Sequence, residues 1–416
     1  MPRRRLLADV TPLRVLPAYR RLWTAISISN VGQQLTSVAV GLQVWNLTHS
    51  SWSVGLVGLF QLVPLITLGM YGGALSDAYD RRTIGLFSAI GQMTCSALFT
   101  AQALLGNHSV LPIYLLISLQ SAVFAIGAPA RQSIIPRIVP EELRTAANAL
   151  SMLSWNVGFT AGPLLAGALI AASGGVTLAY LVDTLMFIAM VYAMYRLPKL
   201  PPAVSGQRAG LASIREGLLF LAGKRNVQMT FYIDIAAMVF GMPRALFPAI
   251  AAGWFHNGMA TATIMGILVA GPTFGAAISS VFSGPLHQVR RQGLAIFVSV
   301  LAWGLAIAAF GVMRSLPMAF IMLAIAGAAD NVSAVFRTTI LQTAVPDEYR
   351  GRLQGVFTTV VAGGPRLGDV EAGAVAAIAG ERASAISGGL ACVLVATLLV
   401  LAFPRFLKYD ARDPVA

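Results

Sequence analysis

Apolar runs of roughly twenty or more residues succeed one another along the whole chain, with short polar connections between them. Six lie at about 23–47, 53–75, 84–105, 111–134, 146–172 and 176–196. Six more lie at about 227–251, 261–284, 294–313, 316–340, 353–379 and 384–403. Runs of that length, wound as helix, cross the hydrocarbon core of a bilayer. Lipid offers no hydrogen bonds, so a spanning segment is either a helix or part of a closed barrel. A barrel strand alternates apolar and polar positions over about ten residues. These runs are continuous, which predicts an all-α membrane protein of twelve transmembrane helices. The first run is too long for the apolar region of a signal peptide, and no small-residue cleavage site follows it. It is therefore read as the first span.

Residues 198–225 interrupt the pattern. Pro201-Pro202, Ser205-Gly206 and several basic residues make a linker, with a short amphipathic helix expected near 211–221. The expected organisation is a leading segment (1–22), a six-helix bundle (23–197), the linker (198–225), a second six-helix bundle (226–404) and a tail (405–416). The bundles repeat each other. Arg131–Ala146, RQSIIPRIVPEELRTA, aligns without gaps with Arg337–Arg352, RTTILQTAVPDEYRGR. Arg131 matches Arg337, Pro140 matches Pro346, Glu142 matches Glu348 and Arg144 matches Arg350. The register continues, with Gly158, Gly162, Gly167 and Gly174 matching Gly364, Gly368, Gly373 and Gly380. Spans 4 and 5 thus recur as spans 10 and 11. Parallel six-helix halves are a transporter architecture, with the binding site between them near the midplane.

Composition narrows the class further. Of 416 residues 57% are hydrophobic and 11% charged, with a mean hydropathy of +0.74. Soluble domains carry about 25% charged residues, so a water-soluble protein is excluded. The net charge of +13 invites a nucleic-acid reading, but the positions of the charges oppose it. Among the Lys and Arg, only Arg314 and Arg382 fall in odd-to-even connections, and Arg131, Arg244, Arg337 and Arg366 fall inside spans or at their ends. All the others lie in the termini and the even-to-odd connections. That asymmetry predicts cytoplasmic termini, with a basic face turned to anionic lipid.

The two cysteines, Cys95 and Cys392, sit in apolar runs, and the four histidines, His49, His108, His256 and His287, in connections. Neither set has metal-ligand spacing, so no metal and no cofactor is expected. No Walker motif and no paired nucleophile and histidine occur within the spans, which argues against an ATP-driven pump and against an enzyme.

Two motifs carry a resemblance. Gly73-Ala74-Leu75-Ser76-Asp77-Ala78-Tyr79-Asp80-Arg81-Arg82 lies between spans 2 and 3. It resembles the cytoplasmic loop motif of the major facilitator superfamily, G-x-L-x-D-x-x-G-R-R/K, with Asp80 in place of the second glycine. A degenerate copy without the acid follows span 8, from Gly284 to Arg291. Gly158-Phe159-Thr160-Ala161-Gly162-Pro163-Leu164-Leu165-Ala166-Gly167 in span 5 resembles the antiporter motif of that superfamily, with Ala166 where glycine is usual. Over essentially its full length the chain is also similar to the enterobactin (siderophore) exporter branch, related to macrolide efflux pumps. Pro17–Leu22, Leu47–Ser50, Arg244–Pro248 and Gly351–Leu353 carry that similarity. The resemblance implies a monomeric secondary exporter that works by alternating access, in exchange for protons. It also implies that Gly73, Asp77, Arg81 and Arg82 latch the cytoplasmic gate, and that Gly158, Gly162, Pro163 and Gly167 form the antiporter element. A drug pump of the same fold and a non-transporting receptor are the alternatives.

Ionisable groups inside spans are expensive in lipid, and each is a functional candidate. The acids are Asp183, Asp234, Asp330, Asp369 and Glu371; the bases are Arg131, Arg244, Arg337 and Arg366. Arg366 and Asp369 are three residues apart and could pair along one helix face. With Glu371 they make the favoured proton or substrate relay. Asp330 and Arg337 are two turns apart in span 10. Asp183 falls in a span expected to be peripheral and is read as a structural hydrogen-bonding group. Asn30, Gln33 and Gln34 in span 1 are read either as cavity-lining groups or as interhelical bonds.

Overall fold

A computed structural model gives the fold; it describes residues 9–201, 219, 221, 223–255, 258–345 and 347–410. The expected linker helix near 211–221 lies largely outside those residues. Each apolar run is helical, and all but one are continuous helices. The first six are α1 (Pro17–Thr48), α2 (Ser51–Ala78), α3 (Arg81–Leu104), α4 (Leu111–Ile138), α5 (Arg144–Ser173) and α6 (Thr177–Tyr195). The next six are α7 (Arg225–Gly253), α8 (Thr261–Val281), α9 (Gln292–Val312), α10 (Leu316–Ala344), α11 (Asp347–Ala379) and α12 (Glu381–Ala402).

Among the described residues, 10 helices are long and apolar enough to cross a membrane. The two others are α1 and α11, of 32 and 33 residues. Their length, about 1.5 Å per residue, also suffices. What sets them apart is polarity: α1 carries Asn30, Gln33 and Gln34, and α11 carries Arg366, Asp369 and Glu371. The two helices least suited to lipid thus both hold candidate residues, as α4, α7 and α10 also do.

One expectation needs correction. The run 227–251 is not a continuous helix. It is a helix at Arg225–Phe240, a break at Gly241-Met242-Pro243, a 3-10 turn at Arg244–Leu246 and a second helix at Phe247–Gly253. Pro243 and Pro248 lack amide hydrogens, and proline both removes a helical bond and crowds the preceding turn. Hydropathy along the run was blind to this, since proline and glycine interrupt geometry without adding charge.

The chain groups into two units. The first comprises Met1–Gln43 with Val63–Arg208, the second Val44–Leu62 with Ala209–Ala416. In the first, α3 packs on α4 and α6, and α5 packs on α6. In the second, α9 packs on α10 and α12, α8 on α10, and α11 on both α7 and α12. The pairs α3–α4 and α3–α6 thus recur as α9–α10 and α9–α12, the same six-helix offset that the sequence repeat shows. The core of the first unit is Leu22, Ala25, Ala89, Ile134, Phe187, Met190 and Met194, contributed by α1, α3, α4 and α6.

Candidate functional site

One group of charges in the second unit joins α7 to α10. Arg337 bonds Asp234 through Nη1 and Asp330 through Nη2, the latter at 3.3 Å. The side chains of Arg337 and Asp234 are 3% and 1% exposed, whereas that of Asp330 is 43% exposed. Burial of a charge in lipid requires a partner, and here one arginine serves two acids. Asp330 and Arg337, seven residues apart on α10, share a face, as their spacing implied.

The repeat places Arg131 on α4 where Arg337 stands on α10. The surroundings differ. Where α10 has Asp330, α4 has Phe124, and the Arg131 guanidinium lies over that ring, 5.0 Å from its centroid. Its Nη1 donates to Ser88 Oγ at 3.3 Å. Among the described residues no carboxylate forms an ion pair with Arg131. A cation–π contact holds a guanidinium in place and leaves its charge available to an anion. The first unit therefore presents a cation at a membrane-span position whose repeat mate is neutralised.

On α11, Arg366 and Asp369 do not form the expected ion pair. Arg366 Nη1 donates to the Ala362 carbonyl one turn earlier. Helical side chains lean toward the N-terminus, which carries the guanidinium away from an acid placed three residues later. Asp369 takes a hydrogen bond from the Ala245 backbone N–H, in the 3-10 turn of broken α7, and has Arg244 and Arg366 as electrostatic neighbours. The break in α7 thus supplies a backbone donor to an acid inside the membrane, as discontinuous helices do at transporter sites. Asp369 Oδ1 is buried without a hydrogen-bond partner. Within the same unit α2 closes over this stretch. A Cβ on Gly55 would lie 2.6 Å from the Asp369 carbonyl oxygen, and one on Gly58 would lie 3.0 Å from Asp369 Cβ. Glu371 does not join the group. It lies two residues on, about 200° around the helix from Asp369.

In the first unit the antiporter-like segment packs α5 on α1. A Cβ on Gly158 would be 2.9 Å from Asn30 Cβ, and one on Gly162 would be 2.6 Å from Gln34 Cβ. Pro163 and Gly167 are buried in the same helix. Asn30 and Gln34 are thus fixed by glycine contacts, while Gln33 is partly exposed. In the loop motif, Gly73 opens on free space, with no atom within 4 Å of where its Cβ would be. Its neighbour Gly72 is the packed glycine, 2.6 Å by the same measure from the Ala125 carbonyl oxygen of α4. Arg82 donates to the Tyr195 carbonyl at 2.5 Å, at the end of α6. Arg81 donates its backbone N–H to the Leu200 carbonyl at 3.1 Å. The side chain of Asp77 lies outside the described residues.

Asp80, the departure from the motif, has a structural reason. It caps α3 through Oδ1, which accepts the N–H groups of Arg82 and Thr83 at 2.8 and 3.2 Å. Its Oδ2 accepts the Leu200 N–H at 2.9 Å. Glycine could do neither.

Two features escaped the reading of the sequence. The stacking of Arg131 on Phe124 was signalled by the repeat, since aligning Phe124 with Asp330 exposes the difference. The other is a set of polar groups around Asp183, described below, scattered over three helices with no local spacing to reveal it.

A sequence profile of the transmembrane secretion effector family matches residues 8–416. The enterobactin exporter EntS of Citrobacter koseri is 31% identical over 419 residues, covering 100% of this chain and 99% of that protein. The EntS of Escherichia coli O81 is 31% identical over 412 residues, covering 98% and 97%. Among solved structures, the nucleoside transporter NupG superposes with a TM-score of 0.76 at 13% identity, covering 93% of this chain and 100% of that one. A bacterial homolog of the human lysosomal transporter Spinster gives 0.72 at 15% identity, covering 98% and 100%. At such identities these structures establish the fold, which is the major facilitator fold that the two motifs implied. The all-helical architecture, the repeated six-helix packing and the full-length match lead to one assignment: this chain belongs to the transmembrane secretion effector family of membrane transporters.

Proposed function

We propose that this protein exports an anionic, siderophore-like small molecule across the inner membrane in exchange for protons, by alternating access. The basic connections and both termini face the cytoplasm, and a single chain suffices. The observation that carries the reading is Arg131, a cation within a membrane span with no carboxylate partner among the described residues, whose repeat mate Arg337 has two. A fixed guanidinium suits the oxygen anions of catecholate or carboxylate groups. The names of the relatives, enterobactin exporters at 31% identity, support the same class of cargo.

Proton exchange rests on Asp369. It is held by one backbone N–H and flanked by Arg244 and Arg366, with one oxygen unbonded. Protonation there changes the local charge balance inside the membrane, where that change is worth most.

Deleting the gene under iron starvation should lower secreted siderophore and raise the intracellular pool. Complementation with the wild-type gene should restore both, and Arg131→Gln should restore neither. A second reading is favoured by Asp330, whose half-exposed carboxylate could attract a cationic drug. Unchanged siderophore secretion with raised sensitivity to lipophilic cations would select that reading instead.

A further inference from the structure

Asp183 on α6 is completely buried, at 0% exposure. Both of its hydrogen bonds fall on one oxygen. Thr36 Oγ1 of α1 lies 2.6 Å from Oδ2, and Ser96 Oγ of α3 lies 2.5 Å from it. Oδ1 has no partner and rests against Gly32, where a Cβ would lie only 2.3 Å away. Among the described residues no Lys, Arg or His forms an ion pair with it. The other ionisable groups on the helices packed around it are few. Cys95 precedes Ser96 on α3, and Tyr180 lies one turn away on α6 with its hydroxyl engaged by Gln43. Arg131 of α4 reaches α3 at Ser88, eight residues from Ser96 and about 12 Å along the helix, and Arg81 and Arg82 on α3 are fourteen or more residues off, about 20 Å. Arg20 and Arg21 on α1 are eleven or more residues from Gly32, about 17 Å.

A carboxylate in this position would hold its charge with two neutral hydroxyls on one oxygen and nothing on the other. A neutral carboxyl fits without that cost. Protonated on Oδ2, it would donate to one hydroxyl while the other hydroxyl donates to Oδ2, since each hydroxyl can play either part. Oδ1 is then a plain carbonyl oxygen against the Cα of Gly32.

The seam between α1, α3 and α6 is asymmetric around this group. Toward the end that carries the basic connections it is filled by Leu22, Ala25, Ala89, Phe187, Met190 and Met194. Toward the opposite end Phe99 stacks on Tyr180, ring centroids 5.2 Å apart, and a line of polar groups runs beside that stack. The Thr100 and Thr184 hydroxyls are 3.3 Å apart. Beyond them Tyr180 OH donates to Gln43 Oε1 at 2.8 Å, and the Gln43 and Gln102 amides bond each other at 3.0 and 2.9 Å. Asn107, in the α3–α4 connection, donates to Gln102 Oε1 at 3.1 Å.

We propose that Asp183 is a proton-binding site of the first unit, loaded when α1, α3 and α6 are packed as here, which exchanges its proton with the end of the bundle opposite the basic connections. Release leaves the Asp183 carboxylate on its two hydroxyl donors and passes the proton to water at that end. The site therefore reads the pH of one side only.

The test uses infrared spectra of the full-length protein in nanodiscs, recorded without substrate or gradient, so its outcome is separate from that of the export reading. Wild type minus Asp183→Asn should show the C=O stretch of a protonated carboxyl at neutral pH. The band should fade reversibly as pH rises. Its shift on transfer to heavy water should be slowed several-fold by Gln102→Leu. Absence of the band would overturn the proposal, and so would a band that neither titrates nor exchanges while the protein stays folded. An exchange rate unchanged by Gln102→Leu would overturn the one-sided route. Should Asp183→Asn fail to fold, Thr36→Val combined with Ser96→Ala in an otherwise wild-type chain must displace the band's frequency; a band left in place contradicts the assignment.

Discussion

At the scale of single residues, what matters is which charges have partners. Arg337 neutralises Asp234, which is buried at 1% exposure. Removing the arginine alone strands that acid. Arg337→Gln should therefore cost about 3–5 kcal/mol of stability, read as a lowered unfolding midpoint in detergent. The double change Arg337→Gln with Asp234→Asn should recover much of the loss. A double variant as unstable as the single one would show that the pair is not the source of the effect. Sequence alone supplied every one of these ionisable residues, because charge inside an apolar run is conspicuous. It did not supply their pairing. Arg366 and Asp369 have the right spacing for an ion pair, yet the lean of helical side chains and the backbone donor from Ala245 separate them.

At the scale of elements, helix approach is set by glycines, and adjacent glycines need not be equivalent. Gly72 and Gly73 fall side by side in α2. A methyl group on Gly72 meets the Ala125 and Ile126 carbonyl oxygens at 2.6 and 2.7 Å, whereas one on Gly73 meets nothing within 4 Å. Gly72→Ala should destabilise by about 1–3 kcal/mol through overpacking. Gly73→Ala should be neutral or stabilise by up to about 1 kcal/mol through helix propensity. Paired thermal melts check this, and equal effects at the two positions would contradict the packing described. In α5, Gly162→Val should press on Gln34 and disturb α1 in the same way. The loop motif drew attention to Gly73, but a motif marks positions, and only the crossing of α2 over α4 reveals which glycine is indispensable to packing. Most helix ends were legible to within a few residues because polar and apolar segments alternate sharply, but α1 and α11 each begin six residues before the apolar run. The break in α7 was not legible, because Gly241, Pro243 and Pro248 leave the hydropathy of the run intact.

At the scale of the whole molecule, the basic asymmetry and the repeat fix what the protein can be. Cysteines placed at the exposed positions His108 and Arg290 should label oppositely with an impermeant thiol reagent in intact cells, His108→Cys reacting and Arg290→Cys resisting. The reverse pattern would invert the orientation. The repeat also concentrates the functional question on the places where the halves differ, above all Arg131 with Phe124 against Arg337 with Asp330. The most direct measurement follows from that difference: accumulation of a labelled catecholate siderophore in inverted membrane vesicles, with the interior acidified and a protonophore as control. Wild type should accumulate substrate only while the pH gradient lasts. Arg131→Gln should lower accumulation by about ten-fold or more, the worth of one charge-assisted hydrogen bond. Accumulation that ignores the gradient, or that is the same in Arg131→Gln as in wild type, would contradict proton-driven export of an anionic substrate.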